Sequence, residues 1–584
     1  MTARLAACAL LVAFAPALHL HAAEGYAVEE TRLATYPRGE AMEWRCADCL
    51  HVGWTVRGDG GQCAVVDGRP GPLYDAIGPM LCTPDGAHRA YSAQRGGRWT
   101  VVLDGREGPW YDGIGPVFSP PPLSLARLEP PTVTYEGAFV LSPDGRRVAF
   151  EIRRGQRSVA VVAGEEGPEF GRIGPIEFSP GGQHVAYAGI APDGTETLVV
   201  DGRAGPRYDH TSQVTYSPDG SRVAYVGSRG GAYMVVVDGV ESAPYIGIGT
   251  IVFSPDSRGV GYPAWTGPQA AVAVADGHVS AVYEDVGPVV FSPDSRRMAY
   301  RALTGGKEVA VVDGEPGPAF DPHMEPRGSL SFRGGFLPTG TAHLAPAAGS
   351  IAFSGDSGHV AYVAHRGETA FVVVDGAEGP PFETIAGEPV LSHNGRHVAY
   401  VGTRGGQRVG DRWQGGSQAL VLDGQAGPLY PEITYLQCSP DLAHTAYIGG
   451  GQGRWAAVVD QRELAAGKRW VRVVLSPDGG RAGYVLQRED GFVVVVDGVE
   501  AGPYEQVWGP VFSADGQHVA YTTLTAQEGH VVVDGVPGPV YEWVAPHVPP
   551  VLRADGGLEY LGAREGTVYR VRHTPIGTPA EGNP

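Results

Sequence analysis

The stretch that decides the fold runs from Phe253 to Tyr300: FSPDSRGVGYPAWTGPQAAVAVADGHVSAVYEDVGPVVFSPDSRRMAY. It begins and ends with the same phrase, FSPDS followed by a tyrosine, and it contains a second phrase, VADG, in the middle. Most of the chain repeats this stretch with small changes. Self-similarity at a fixed period indicates a repeat architecture, in which each unit buries its apolar faces against its neighbours.

The aromatic residue that closes each S-P-D-G-x-x-V-A-Y phrase measures the period. Most intervals between these residues are 37 or 38 residues, and three longer intervals of 59, 62 and 47 mark insertions. We call them the ruler aromatics, and there are thirteen: Trp54, Tyr91, Phe150, Tyr187, Tyr225, Tyr262, Tyr300, Tyr362, Tyr400, Tyr447, Tyr484, Tyr521 and Tyr560.

Each unit is predicted to form four short antiparallel strands. The first is the apolar run before Pro-Asp-Gly, whose proline and glycine favour a tight turn. The second follows that turn and ends in a Gly-rich turn such as Arg229 to Gly231. The third is a β-branched run that ends in Asp-Gly, the strongest short signal for a hairpin, and Ala163-Gly164 and Asp460-Gln461 are departures from it. The fourth is expected around the aromatic of a G-P-x-Y phrase.

Four strands per unit and a period near 40 residues are typical of β-propeller blades. A linear β-solenoid is the alternative, but Asp-Gly hairpins require antiparallel neighbours, which favours the propeller. Because thirteen blades exceed the usual ring, the sequence predicts an all-β protein of tandem β-propellers, built from about 13 four-stranded blades and divided as seven plus six. A single very large ring, or a division at another place, remains open.

The phrases FSPDG…VAY and VVVDG resemble the WD-repeat-like blades of the TolB type, which occur in bacterial periplasmic and secreted proteins. The resemblance covers about residues 42 to 573. It implies the propeller fold, but it does not imply one activity, because the family includes binding scaffolds as well as propellers attached to peptidases.

The domain boundaries follow from the insertions and from the ends of the chain. Residues 1–23 have the pattern of a signal peptide, with Arg4 before an apolar run and small residues at its end. The first propeller is predicted over 24–320, a linker over 321–350, the second propeller over 351–573 and a disordered tail over 574–584. The segment after the leader is expected to supply a strand that completes the last blade. The mature chain is therefore expected to be secreted or periplasmic, with no transmembrane segment.

Composition excludes some classes of partner and suggests a role for the cysteines. The formal net charge of −20 argues against a nucleic-acid surface, which needs clustered Lys and Arg. In an oxidising compartment, one or two disulfides are expected among four cysteines near the first blade, and a C-x-x-C redox or metal site is the alternative. These cysteines are Cys46, Cys49, Cys63 and Cys82.

No motif points to a catalytic or metal site. Seven histidines occupy one slot, three residues before the ruler aromatic, and arginines fill the same slot in other units. Because the slot recurs once per blade, a structural role is expected rather than three or four ligands that converge on one metal. The repeated aspartates are expected to cap their own turns, and Gly355 to Gly358 is expected to be such a turn rather than a serine nucleophile. We expect no cofactor, no metal and no catalytic residue.

The insertions carry the signal for function. All three are predicted to emerge on the face opposite the Asp-Gly turns, and insertions on one face of a repeat protein often bind partners. Candidate binding residues are Arg412 and Trp413 in one insertion, and His323, Arg327, Phe332 and Arg333 in another.

The predicted function is that of a scaffold that binds a protein or an envelope polymer through these loops. Two alternatives remain open: an enzyme, either a lyase or a hydrolase, that uses a propeller channel, and a purely structural protein of the envelope.

Overall fold

The computed structural model describes residues 18–23, 26–35, 44–45, 52–58, 61–67, 69–83, 86–115, 139–212, 214–322, 351–409, 412–451, 453–467, 471–525, 528–544, 551–552 and 557–575. Within these residues the protein is an all-β propeller of thirteen small antiparallel sheets, which we number as blades 1 to 13 in chain order. The described residues contain no helix, and so none that is long and apolar enough to cross a membrane. Each predicted unit forms one blade, so the number of units and their four-stranded build are confirmed.

The four strands of a blade lie in the sheet in chain order. The first strands are Trp44–Arg45, Ala76–Cys82, Val140–Leu141, Arg172–Ile173 with Glu177–Phe178, His210–Thr211 with Thr215–Tyr216, Gly247–Ile248 with Val252–Phe253, Asp285–Val286 with Val290–Phe291, Ile351–Phe353, Thr384–Leu391, Glu432–Cys438, Val471–Leu475, Gln506–Phe512, and Trp543–Val544 with Val551–Leu552. The second strands are Val52–Gly58, Arg89–Arg95, Val148–Arg154, Val185–Ile190, Val223–Arg229, Val260–Gly267, Met298–Thr304, Val360–Arg366, Val398–Val409, Thr445–Gly451, Ala482–Gln487, Val519–Thr525 and Leu558–Arg564. The third strands are Gly61–Val66, Arg98–Leu103, Arg157–Val162, Glu196–Val200, Ala232–Val237, Ala270–Ala275, Lys307–Val312, Thr369–Val374, Arg412–Leu422, Arg454–Val459, Phe492–Val496, Glu528–Val533 and Thr567–Pro575. The fourth strands of blades 1 to 12 are Arg69–Tyr74, Arg106–Glu107, Glu165–Phe170, Arg203–Ala204, Val240–Glu241, His278–Val279, Glu315–Phe320, Ala377–Glu378, Gln425–Ala426, Arg462–Gly467, Val499–Tyr504 and Val536–Pro537.

The third and fourth strands are joined by the predicted Asp-Gly turns. In blade 5, Asp238 has φ 50° and Gly239 has φ 84°. Positive φ at both central residues is the type I′ geometry that matches the twist of an antiparallel pair. The two departures from the motif adopt the same geometry, since Ala163 has φ 51° and Asp460 and Gln461 have φ 48° and 60°. The sheet therefore imposes this turn even where the sequence disfavours it.

The fourth strand differs from the prediction in several blades. In blade 4 it spans only Arg203–Ala204, and the aromatic Tyr208 returns to pair with Glu196 in an isolated bridge. A Gly-Pro pair lies in this gap, and proline has no backbone N–H to donate to the ladder, but the strand Arg69–Tyr74 of blade 1 contains the same pair without a break. Gly-Pro interrupts the first strands of blades 4 and 7 in the same way.

Successive blades are joined by pairs of aromatic rings. The ring of Tyr208 at the outer end of blade 4 packs edge-to-face on the ruler aromatic Tyr225 of blade 5, with centroids 6.0 Å apart. Such pairs stabilise a contact beyond the burial of their area. The same pair recurs as Tyr74–Tyr91, Tyr111–Phe150, Tyr283–Tyr300, Phe320–Tyr362, Phe382–Tyr400, Tyr430–Tyr447 and Tyr541–Tyr560. The ruler aromatics thus mark the interfaces between blades as well as the period.

The glycine two residues after some ruler aromatics lies against the ring from the preceding blade. A Cβ at Gly449 would lie 2.5 Å from Cγ and Cδ2 of Tyr430. We therefore expect Gly449→Ala to lower the free energy of unfolding by about 1–3 kcal/mol, the usual cost of overpacking. Gly113→Ala is the matched control, because a Cβ there would meet no atom within 4 Å. Urea denaturation checks this, and equal midpoints for the two variants would contradict the contact.

The chain separates into two compact units. One consists of Met1–His19, Glu30–Arg258 and Ala563–Val571, and the other of Leu20–Glu29, Gly259–Gly562 and Arg572–Pro584. Residues 323–350, most of the predicted linker, lie outside the described residues, and the division into seven and six blades stays a prediction. Within the second unit, blades 7 and 8 on either side of this segment are in direct contact. The backbone of Asp321 pairs with that of His365, and the guanidinium of Arg301 reaches the carbonyl of Val363 at 2.5 Å.

The last blade is completed by the start of the chain. The strand Tyr26–Thr35 lies beside Thr567–Pro575 and occupies the fourth position of blade 13, with Leu18–Ala23 at its outer side. A carboxylate oxygen of the buried Glu30 accepts a hydrogen bond from Arg564 at 2.6 Å. The expected pairing of the chain ends is thus confirmed. Leu18–Ala23 falls within the predicted signal peptide, which stays a prediction.

Two of the four clustered cysteines lie in the described residues. Cys63 is buried in blade 1, with Sγ 3.4 Å from the carbonyl oxygen of Gly71, and Cys82 is half-buried at the end of a first strand. Cys46 and Cys49 lie outside the described residues, so the disulfides stay a prediction. Burial raises the pKa of the isolated Cys438 to about 12, which keeps it a neutral thiol at physiological pH.

Candidate functional site

The turns between first and second strands lie on the same face as the Asp-Gly turns, which we call the Asp-Gly face. In blade 8, the Ser354 hydroxyl and the Gly358 N–H both donate to Oδ1 of Asp356, at 2.6 and 3.0 Å. These hydrogen bonds, the serine's first, lower the pKa of Asp356. The expected turn capping is therefore confirmed. Ser357 is buried, and its hydroxyl accepts a hydrogen bond from the backbone N–H of Asp294.

The repeated histidines link the two kinds of turn within a blade. His359 Nδ1 lies 2.6 Å from Oδ2 of Asp375, the aspartate of the Asp-Gly turn. Nδ1–Oδ2 distances of 2.7–3.0 Å recur in the pairs His88–Asp104, His184–Asp201, His397–Asp423, His444–Asp460 and His518–Asp534. The predicted structural role of this slot is confirmed for these six histidines. Over the part of the chain that the structure describes, no three His, Cys, Asp or Glu side chains are grouped so as to hold a metal.

Where arginine fills the same slot, it also binds the next blade. Arg297 Nε donates to Asp313 at 2.8 Å, and its Nη1 donates to the carbonyls of Ser357 and Gly358 at 3.0 and 2.9 Å. Arg222 and Arg481 make equivalent contacts. Arg147, whose blade has Ala163 in place of the aspartate, keeps only the bond to the next blade, at the carbonyl of Gly182. The repeated histidine and arginine side chains on the Asp-Gly face therefore make contacts within a blade or with the next blade, and these contacts stabilise the fold.

The opposite face carries the turns between second and third strands and the links between blades, and we call it the hairpin face. In five blades, an acidic residue just after the outer aromatic accepts a hydrogen bond from a glycine N–H in the next hairpin. Asp209 accepts from Gly230 at 2.7 Å, and Asp321 accepts from Gly367 at 2.6 Å. These bonds place the links and the hairpins side by side, as the strand connections predict.

The hairpin of blade 9 extends beyond the others. In blade 5 the pairing ends at Arg229 and Ala232, next to the two-residue turn. In blade 9 it continues past Arg404 and Ser417 for four more pairs, to Val409 and Arg412. Its base is anchored, because Gly406 N–H donates to Glu383 at 3.1 Å and the Arg404 guanidinium lies 4.5 Å from the centre of the Phe382 ring. The predicted insertion is thus a β-hairpin on the hairpin face.

The candidate binding residues are placed only in part. Arg412 and Trp413 lie in the returning strand of this hairpin, where their backbones pair with Val409 and Arg408. His323, Arg327, Phe332 and Arg333 lie outside the described residues. Their joint role in a binding surface stays a prediction.

A second set of residues lies on the first strands of blades 9, 10 and 11. The first strands of blades 10 and 11, and those of blades 11 and 12, contact each other, which places them at the narrow inner edge of this stack. Four residues before the turn serine, these blades carry Glu388, Tyr435 and Arg472. We call these three residues the inner-edge set. Blades 2, 4 and 7 carry proline at this position: Pro79, Pro175 and Pro288.

The inner-edge set does not belong to the residues that the sequence predicts to bind a partner. The available signal was the replacement of a Gly-Pro phrase by larger polar side chains in three successive units. This signal is weak, because the repeat is defined by its recurring residues and the position four residues before the turn serine varies between units. Two properties in the structure distinguish Tyr435: its backbone has φ 53°, and its side chain is exposed, with a relative accessibility of 56%.

A buried ion pair in blade 7 acts on Glu388 of this set. Arg301 and Glu308 in blade 7 form a salt bridge, and both side chains are 7% exposed. Arg301 also lies over the Tyr362 ring of blade 8, 5.8 Å from its centre. Burial raises the pKa of Glu388, and the positive charge of Arg301 opposes that rise. The field of the buried guanidinium therefore reaches the inner-edge set.

Comparisons with known proteins assign no family to this chain. No protein-family model matches the chain, and no curated protein matches it. A crystal structure of the eukaryotic initiation factor is 12% identical, with 57% of this chain and 87% of that chain covered and a TM-score of 0.29. The Dos1 propeller is 11% identical, with 63% and 92% covered and a TM-score of 0.24. The β-propeller domain of the Trilobed protease from Pyrococcus furiosus is 11% identical, with 58% and 98% covered and a TM-score of 0.23. At these levels of similarity the comparisons carry no argument about what this chain binds or does.

Proposed function

We propose that the protein is a secreted or periplasmic β-propeller scaffold of the TolB-like, WD-repeat-like type, which binds a protein or an envelope polymer through its hairpin face. The signal-peptide pattern of residues 1–23 supports the location. The repeated phrases FSPDG…VAY and VVVDG support the assignment to the TolB-like, WD-repeat-like type. Neither proposal assigns a reaction to the chain.

One observation carries the proposal, and it is the long hairpin of blade 9. The other described hairpins end where their blade ends, because the sheet needs no more pairs to be complete. Blade 9 adds ordered strand beyond that point, and its extra residues do not complete the sheet of their own blade. Arg412 and Trp413 lie in this extension, and arginine and tryptophan are enriched at the energetic centres of interfaces. Strand pairing fixes the backbone of these two residues before a partner binds, which lowers the entropic cost of binding.

Removal of the extension tests the proposal. Deletion of residues 407–416 joins Gly406 to Ser417 and creates the phrase TRGGSQ, which matches the natural SRGGAY of blade 5. Because the deletion follows the register of a natural blade, the fold should be retained. We expect the shortened protein to lose about tenfold or more of its capture of one envelope component, measured by quantitative mass spectrometry and sugar analysis of the bound material.

The control is Val499→Ser, which changes a side chain that is 74% exposed on a fourth strand and should leave capture unchanged. Binding constants for the captured component, measured with both variants, then establish direct binding. Equal capture by the shortened and full-length proteins, with equal unfolding midpoints, would remove the hairpin from the proposal.

A further inference from the structure

We propose that the inner-edge set of Glu388, Tyr435 and Arg472 is a glycan-binding site. This site is distinct from the hairpin of blade 9 and does not depend on the function proposed for it. The ring of Tyr435 would stack on the C–H face of a sugar, and the carboxyl and guanidinium groups would bind its hydroxyls.

Tyr435 has a backbone conformation that is unusual for its residue type, and the equivalent position of blade 12, which also has positive φ, is Gly509. A φ of 53° is unfavourable for a side chain larger than glycine, and aromatic residues seldom adopt it. The next residue, Leu436, is 9% exposed and belongs to the core of blade 10, so the strand is held while Tyr435 faces solvent. An exposed aromatic side chain in a strained conformation contributes little to packing. Strain of this kind concentrates at functional sites.

Both Tyr435 and Glu388 lie at breaks in the pairing register of their sheets. Tyr435 lies in the break in register between the pairs Thr434–Ile448 and Gln437–Ala446. Glu388 lies in the equivalent break of blade 9, between the pairs Ala386–Val401 and Val390–Ala399. Bulges re-aim side chains and are common next to binding and active sites. Two successive blades therefore present a polar or aromatic side chain from the same kind of irregularity.

Arg472 adds a donor at the matching position of blade 11. Its strand pairs regularly, with Arg472 opposite Val485. Val473 is 1% exposed, so the alternation of the strand places exposed Arg472 on the side away from the core. The set thus has an aromatic face between an acceptor on one neighbouring blade and a donor on the other.

The chemistry of the set favours a sugar over a peptide. The side chain that anchors a peptide usually enters a pocket from which water is excluded. Here the aromatic ring is half-exposed, and charged groups occupy the equivalent positions on both sides. A sugar has an apolar C–H face and a rim of hydroxyls that donate and accept hydrogen bonds, and this matches a tyrosine flanked by a carboxyl and a guanidinium.

The test uses the full-length protein and an array of neutral, amino and acidic oligosaccharides, followed by calorimetry with the best oligosaccharide. We expect one class of oligosaccharide to bind and Tyr435→Gly to weaken that binding by about tenfold or more. Because glycine tolerates positive φ, the same variant should unfold at an equal or higher urea concentration than the natural protein. Loss of binding together with equal or greater stability separates a binding role from a structural one.

Tyr233→Ala is the matched control, because Tyr233 is another exposed tyrosine, in blade 5 and 40% exposed, and it should leave binding unchanged. The variant that lacks residues 407–416 should also bind the oligosaccharide as the natural protein does, since the hairpin is not part of this site. The proposal is overturned if no oligosaccharide binds, if Tyr435→Gly binds equally well, or if the set binds a peptide instead.

Discussion

Substitution of Arg301 by methionine is expected to lower the free energy of unfolding by about 3–5 kcal/mol, the usual cost of removing one partner from a buried ion pair. The substitution removes the cation that is paired with Glu308, and both side chains are 7% exposed. It also removes the donor to the Val363 carbonyl and the cation over the Tyr362 ring. The substitution therefore removes one interaction within blade 7 and two between blades 7 and 8.

A double variant distinguishes this explanation from a general loss of packing. In Arg301→Met with Glu308→Leu, no carboxylate remains in the buried site, and apolar pairs often replace buried ion pairs at little cost. We expect the double variant to regain most of the lost stability, as measured by urea denaturation. Arg366→Met is the control on an exposed pair, since Arg366 is 60% exposed beside Glu378, and its effect should be much smaller. A double variant as unstable as Arg301→Met would show that the charge is not the cause.

Acidification is expected to destabilise the closing blade through His573. This side chain is 1% exposed, and its Nε2 lies 3.1 Å from the hydroxyl of Tyr560. Burial lowers the pKa of His573 from its ordinary 6.5 to about 4. Between these values the unfolded chain binds a proton that the folded chain does not, so stability is lost as the pH falls from 6.5 towards 4. The loss amounts to about 3 kcal/mol at most, since one pKa unit corresponds to about 1.4 kcal/mol.

The comparison with His573→Phe isolates this contribution, because that variant has no proton to bind at this position. The difference in unfolding free energy between the natural protein and the variant should shift in favour of the variant as the pH falls through this window. His210→Phe, whose side chain is 80% exposed in the natural protein, is the control and should show no such shift. A constant difference for His573→Phe between neutral pH and pH 4 would disprove the linkage.

Most of the fold follows from short phrases in the sequence. Asp-Gly specifies each hairpin locally, because few other residue pairs tolerate two positive φ angles. The ruler aromatics predict the number of blades, and the structure indicates why they recur, since at least eight of the thirteen pack on a ring from the preceding blade. The strand near the start of the chain was also predicted, since the last unit lacked a fourth strand and Tyr26–Thr35 supplies it.

The candidate sites were only partly predictable. The excess of ten residues in blade 9 located the long hairpin, because an insertion between two paired strands extends both. The inner-edge set was not predicted, because its position in the repeat holds proline in some blades and glutamate, tyrosine or arginine in others. No local rule distinguishes a residue that only fills the turn from one that binds a partner. The buried pair of Arg301 and Glu308 was equally hidden, because burial depends on the neighbouring blade.

The sequence by itself determined that this protein is a series of antiparallel blades, because turn chemistry and strand alternation act over a few residues. Only the tertiary structure decided which polar side chains are buried and which are exposed. The backbone conformation of Tyr435 belongs to this second group. Its φ is set by the register on which blade 10 pairs, and that register depends on contacts between residues far apart in the chain.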